Sequence, residues 1–153
     1  GGLVGALEEL AFTGPVDFTI GSIPPECERL PLELAATAYF VIAEALTNVA
    51  KHAGTDQARV DLTVDDGLLH ISVVDAGRGG ASVDGGSGLA GLRERINARG
   101  GQFRVRSGDR LGTEIEARIP LVSPPQLLDD AGSLPTTGPT TGPTTGPTTG
   151  ASS

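Results

Sequence analysis

The stretch "ARVDLTVDDGLLHISVVDAG", residues 58 to 77, limits the fold more than any other part of this chain. Val60, Leu62 and Val64 alternate with polar residues, as do Leu69, Ile71 and Val73, and Asp66-Gly67 between them is a two-residue turn signal. The spacing predicts a hairpin of two strands, each apolar on one face and polar on the other. "VDFTI" (Val16, Phe18, Ile20), "QFRVRS" (Phe103, Val105) and "GTEIEARIP" (Ile115, Ala117, Ile119) repeat that alternation. One-sided strands predict a largely antiparallel sheet with water on one face and helices on the other. They exclude a doubly wound parallel sheet, whose strands are buried on both faces.

That exclusion decides how the glycines are read. Gly86, Gly88 and Gly91 form G-x-G-x-x-G, with Asp109 some way downstream, the spacing of a dinucleotide fingerprint. The residues before Gly86 are "GRGGASVDG", a loop. The fingerprint needs its first glycine on the turn that leaves a strand, so the nicotinamide-cofactor reading fails. What remains is a glycine-rich loop running into a short helix with Leu89, Leu92 and Ile96 on one face, closed by Gly100-Gly101. The N-terminus of such a helix offers N–H groups and a positive dipole end to a phosphate.

A longer helix is predicted from Pro31 to Ala53, "PLELAATAYFVIAEALTNVAKHA". Leu34, Ala38, Ile42, Ala45 and Val49 form its apolar stripe, and the longest apolar run, "LAATAYFVIAEAL", is too short to span a bilayer and carries Glu44. Glu44, Asn48 and Lys51, at i, i+4 and i+7, line the edge of that stripe. Lys51 is the single lysine among 11 basic residues, and an ammonium is a compact point charge suited to phosphate. A solvated helix edge remains the alternative for the three.

Asp75 shares the parity of Leu69, Ile71 and Val73, so its carboxylate points to the helix-covered side at the strand's end. A carboxylate there needs donors. Two sources are open: the exocyclic amine of adenine, with Gly77 and Gly79 allowing close approach, or the N–H groups of its own turn. Thr113 has the parity of Ile115 and faces the same space.

The remaining features bound the problem. A net charge of −8 argues against nucleic-acid or anionic-membrane partners, and one cysteine, Cys27, excludes an internal disulfide. Residues 122–153, with PTTG repeated from Pro135 to Gly150, have the composition of a disordered low-complexity tail. Residues 1–14, "GGLVGALEELAFTG", have helical spacing and are read as the remnant of an upstream helical region. The Gly-Gly start and the absence of methionine lead to the expectation of a fragment from a longer protein.

"EALTNVAKHA" (44–53), "DAGRG" (75–79), "GSGLAGL" (86–92) and "GTEIEARIP" (112–120) resemble, in order, the N, G1, G2 and G3 boxes of the ATP-binding catalytic domain of sensor histidine kinases. That domain belongs to the superfamily shared with gyrase, Hsp90 and MutL. The wording "NVAKHA" and "GLAGLRERI" is similar to that of nitrate-responsive kinases. The resemblance covers residues 15–121 and implies a two-layer α/β sandwich of the Bergerat type, a mostly antiparallel mixed sheet with helices on one face. It implies ATP and Mg²⁺ as ligands. Asn48 would bind the metal through its side-chain oxygen, with Glu44 nearby orienting water or polarising the reaction; Lys51 and His52 would contact phosphates, Lys51 also neutralising charge in catalysis; Asp75 would accept from adenine, with Gly77, Gly79 and Thr113 around the base. Gly86, Gly88, Leu89 and Gly91 would flank the triphosphate.

The implied partners are a dimerisation and phosphoacceptor domain of the same protein and a response regulator, with a homodimeric, cytoplasmic or membrane-anchored full-length kinase. Two departures stand out. The loop from Gly79 to Gly86 is short and lacks a phenylalanine box, and no phosphoacceptor is present, since His52 lies inside the N box and His70 on the polar face of a strand. A serine kinase of the anti-sigma-factor type and a non-catalytic adenine-nucleotide sensor stay open as alternatives.

Overall fold

The computed structural model describes residues 2–53, 57–77, 88–108 and 112–122. Three α-helices and five strands follow one another as α1 (Gly2–Thr13), β1 (Asp17–Ser22), α2 (Leu32–Asn48), β2 (Gln57–Asp65), β3 (Leu68–Asp75), α3 (Leu89–Ala98), β4 (Gln102–Gly108) and β5 (Gly112–Pro120). A 3₁₀ turn, Pro25–Arg29, leads into α2, and a π-helical turn, Val49–Ala53, follows it. The tail and the glycine-rich loop at 78–87 lie outside the described residues.

The sheet order is β1-β2-β3-β5-β4, with β1 parallel to β2 and every other pair antiparallel. The hairpin forms where the alternation places it. Asp65 pairs with Leu68, and Asp66 and Gly67 turn with φ of 51° and 73°, the left-handed pair that matches the sheet's twist. Val60, Leu62, Leu69, Ile71, Val73, Ile115, Ala117 and Ile119 are buried on one face, as their parity requires. The other face carries charge, with Arg106 reaching Glu114 and Glu116 at 3.8 Å each. This is the expected two-layer arrangement.

Helix α2 lies over the sheet with Leu34, Ala38, Ile42 and Ala45 fully buried. Pro31 stands just outside it, its carbonyl accepting from the Ala35 N–H at 2.9 Å. Among the described residues, Leu32–Lys51 has the length and composition of a membrane span, more than the apolar run alone suggested; here it is the central core helix. Helix α3 buries Leu89, Leu92 and Ile96. It ends as the paired glycines predict: the Gly101 N–H donates to the Ile96 carbonyl and the Gly100 N–H to that of Asn97, both at 2.9 Å, with Gly100 left-handed at φ 81°. Helix α1 is docked, not pendant, since Leu3, Leu7 and Leu10 belong to the same buried cluster as α2 and the sheet.

Candidate functional site

One row of side chains crosses the sheet at the end of β3. Asp75 is paired with Ala58 of β2 on one side and with Thr113 of β5 on the other, and Thr113 is paired with Ser107 of β4. Asp75 and Thr113 are buried, with 5% and 6% of their surface exposed. The Gly77 N–H donates to Asp75 Oδ1 at 2.8 Å. Of the two donor sources read from the sequence, the carboxylate's own turn therefore supplies one bond, and that bond fixes the carboxylate's direction at the mouth of the layer. An Asp oxygen pair has about four lone-pair sites, so capacity for further donors remains.

Gly112 comes closer to this carboxylate's backbone than any residue larger than glycine could. It has φ of 80°, and a Cβ there would collide with the Asp75 carbonyl oxygen and stand 2.9 Å from its carbon and 3.0 Å from Ala76 Cα. Sequence reasoning quoted Gly112 only as the start of a strand. Ser107 was missed as well, although its hydroxyl lies 3.1 Å from that of Thr113. The signal for both is cross-strand register, which fixes only once β5 is placed between β3 and β4.

Helix α2 brings the second group. Asn48 is buried, at 7% exposure, and its Nδ2 has no hydrogen-bond partner within the described residues. An unpartnered buried amide costs about 1–3 kcal/mol, and its two ends exchange by a flip of the side chain. A ligand that binds the amide end would remove that cost. Glu44, half-buried one turn earlier, lies against Gly88 at the start of α3, where a Cβ would strike its Oε1 and come within 2.5 Å of its Cδ. Helix α2 and the residue that opens α3 meet at that contact.

The structure departs from the sequence expectation at Lys51. The α-helix stops at Asn48, the Val49 N–H is shared between the carbonyls of Ala45 and Leu46, and the wider π turn carries Lys51. Each residue of a π turn advances less around the axis than in an α-helix, so Lys51 leaves the stripe of Glu44 and Asn48 and is exposed. Such turns concentrate at functional sites. His52 lies in the same turn.

At α3, Gly88 stands just before the first turn without a side-chain cap, and Gly91 meets only open space where its Cβ would be. The Leu89 side chain is core, 1% exposed, which leaves only its backbone to face a ligand. Gly79 and Gly86 lie outside the described residues.

A cavity of about 420 Å³ opens beside Asp75 between β1, β2 and β3, with Phe18, Ala58 and Ala76 in its wall. It shares Asp75 and Ala58 with the row described above but not Thr113, and neither Asn48 nor Glu44 lines it.

The donor set tests what the site could hold. Among the described residues no three His, Cys, Asp or Glu side chains converge as a metal cage. An amide and a carboxylate one helical turn apart suit a hard cation that keeps waters and takes its other oxygens from a phosphate, as Mg²⁺ does. Asn48 and Glu44 fit that description.

Comparison with known proteins gives the family and the fold. A family model described as histidine kinase-, DNA gyrase B-, and HSP90-like ATPase matches residues 34–123. The sensor histidine kinase YdfH of Bacillus subtilis (strain 168) is 34% identical over 131 residues, 77% of this chain and 32% of that protein. The sensor histidine kinase YxjM of the same organism is 31% identical over 96 residues, 63% of this chain and 24% of that protein. This chain thus spans no more than about a third of the curated relatives it matches. The histidine kinase domain of the blue-light activated histidine kinase from Erythrobacter litoralis EL346 superposes with a TM-score of 0.64 at 24% identity, over 78% of this chain and 61% of that one. At that identity the match speaks for the fold.

Proposed function

Because the chain belongs to the family of histidine kinase-, DNA gyrase B-, and HSP90-like ATPases, we propose that it is the Mg·ATP-binding catalytic domain of a sensor histidine kinase. In this reading residues 15–121 bind ATP, and residues 1–14 continue an upstream dimerisation region that carries the phosphoacceptor histidine. The full-length kinase would be a homodimer on the cytoplasmic side, and a response regulator would receive the phosphoryl group. The box wording further suggests the nitrate-responsive subgroup.

The observation that carries the adenine site is the buried Asp75 carboxylate, oriented by the Gly77 N–H and paired across the sheet with Thr113. It would accept a hydrogen bond from the adenine amine, with Thr113 beside it. Gly77 would leave room for the base, the part that the sequence motif also gives to Gly79. Lys51 and His52 would neutralise phosphate oxygens, while the backbone around Gly86, Gly88, Leu89 and Gly91 would cradle them at the positive end of α3. Asn48 and Glu44 would hold Mg²⁺, which when bound offsets the charge of the phosphate oxygens.

Phosphoryl transfer asks little covalent work of the protein. The bond between the γ-phosphorus and its bridging oxygen breaks, one to a histidine ring nitrogen forms, and ADP leaves; the protein supplies alignment and charge compensation. The names of the relatives support histidine over serine as acceptor, and so does the helical character of α1.

Calorimetric titration with a non-hydrolysable ATP analogue and with GTP, with and without Mg²⁺, tests the site. The expected result is adenine-selective binding that Asp75→Asn abolishes. Absence of nucleotide binding under every condition would refute the proposal. Labelled phosphate appearing on a supplied helical domain, and lost when its histidine is replaced, would separate a histidine kinase from a nucleotide sensor.

A further inference from the structure

Three contacts tie α2 to α3, and their order along the two helices fixes a register. At the ligand end Glu44 lies against Gly88, where a Cβ would come within 2.5 Å of the carboxyl carbon. One turn back along α2, the Arg95 guanidinium stands over the Phe40 ring, 5.3 Å from its centroid. At the far end Arg99 Nη1 lies 3.6 Å from Glu33 Oε2. The partners descend α2 from 44 to 33 as they ascend α3 from 88 to 99. The two helices therefore run antiparallel, and the ties span the same eleven residues on each, about 16 Å.

The middle tie is the one built to resist sliding. Leu89, Leu92 and Ile96 decide which face α3 turns to the core. The Glu33 side chain is exposed and its ion pair is long, so the far tie is weak. Phe40, by contrast, is only half-exposed, and the Tyr39 ring meets it in a T-shaped contact with centroids 6.0 Å apart. A slide of one turn, about 5.4 Å, would carry the guanidinium off that ring. Arg95 and the start of α3 belong to one continuous helix, so the contact at Phe40 also sets where Gly88 meets Glu44. Both residues lie outside the four boxes. We propose that Phe40 and Arg95 are positioning residues for phosphate binding, an inference that rests on the nucleotide site proposed above: their contact holds α3 in register along α2, so that the phosphate-facing start of α3 stays on Glu44. The adenine end, built on Asp75 and Thr113 of the sheet, does not depend on that register.

The test uses the whole 153-residue chain. Calorimetry gives its affinity for adenylyl imidodiphosphate in Mg²⁺, and amide NMR shifts give that for adenosine, which has no phosphate. Phe40→Leu removes the ring and no charge. It should weaken the triphosphate about two- to fivefold, the value of one exposed cation–π contact, and leave adenosine unchanged. Arg95→Ala should do the same, and the two substitutions together should cost no more than either alone. Phe40→Tyr and Arg95→Lys, which keep a ring and a cation, should restore the wild-type ratio.

Parallel losses for both ligands, or an unchanged ratio in Phe40→Leu, would overturn the proposal. So would a loss confined to Arg95→Ala, which would mark attraction between an arginine and phosphate at a distance and not a register. Wild-type chain that binds neither ligand, or binds adenosine as tightly as the triphosphate, would instead overturn the nucleotide site itself, and the role of Phe40 and Arg95 with it.

Discussion

Gly112→Ala is the sharpest perturbation the structure offers, because its cost can be assembled from separate terms. A Cβ at this position faces the Asp75 carbonyl and the Ala76 Cα, which are main-chain atoms of the central strand and cannot swing aside. Holding alanine at a φ of 80° costs about 1–2 kcal/mol. Overpacking against atoms that must shift adds about 1–3 kcal/mol. Reduced freedom of the unfolded chain returns about 0.4–1 kcal/mol. The net expectation is a loss of about 1–4.6 kcal/mol, which lowers the melting temperature by about 4–18 °C at about 4 °C per kcal/mol. Urea unfolding followed by circular dichroism measures the difference directly. Gly91→Ala is the matched control. Gly91 sits in the first turns of α3 with open space around it, so alanine should stabilise by about 0.5–1 kcal/mol. A Gly112→Ala protein within about 0.5 kcal/mol of wild type would show that β5 and the end of β3 are not packed as described.

Other perturbations separate stability from function. In Gly88→Ala the added Cβ meets the movable end of Glu44, so unfolding should shift by no more than about 1 kcal/mol while Mg²⁺-dependent nucleotide affinity falls at least about tenfold; unchanged affinity would remove Glu44 from the site. Leu7→Ala should cost about 2–5 kcal/mol, since Leu7 is fully buried, and a neutral outcome in thermal unfolding would mean α1 is not docked. Burial, and after it the charge of Glu26, pushes the Cys27 thiol above its ordinary value of 9.0. The folded state therefore favours the thiol, and stability should hold below pH 9 and decline above it, while Cys27→Ser should flatten that decline. Rapid reaction of the native protein with a disulfide reagent at pH 8 would contradict this burial.

The parts legible in the sequence are those with a local period. Alternation placed Asp75 and Thr113 on the covered face, and the Asp-Gly and Gly-Gly pairs fixed the hairpin and the end of α3, because each signal lies within a few residues. The helix stripe located Asn48 and Glu44 but extended too far. Whether a helix holds α geometry in its last turn depends on what it packs against, so Lys51 was carried past the point where the stripe ends. Ser107 and the approach of Gly112 were invisible for another reason. Both exist only through pairing between β3, β5 and β4, and β5 enters between strands that precede it in the chain. Leu89 shows the converse, since a residue inside a ligand motif can give its side chain to the core.

The parallel pairing of β1 with β2 has a kinetic meaning. Asp17 meets Gln57 only after the chain between them has closed a long loop, and that loop is α2 with its Asn48 and Glu44. Strand β5 likewise reaches Asp75 only after α3 and β4 have been laid down. Closures of this length are entropically costly and slow compared with local hairpins. On this argument the pairing of Asp75 with Thr113 and the closure that contains Asn48 and Glu44 would form late in assembly and part early in unfolding. A nucleotide bound across them would tie both closures shut, adding about 2.7 kcal/mol at a hundredfold excess over its Kd. Occupancy by nucleotide would then act as a clamp on the most distant contacts in the chain, and the rate of unfolding would report it.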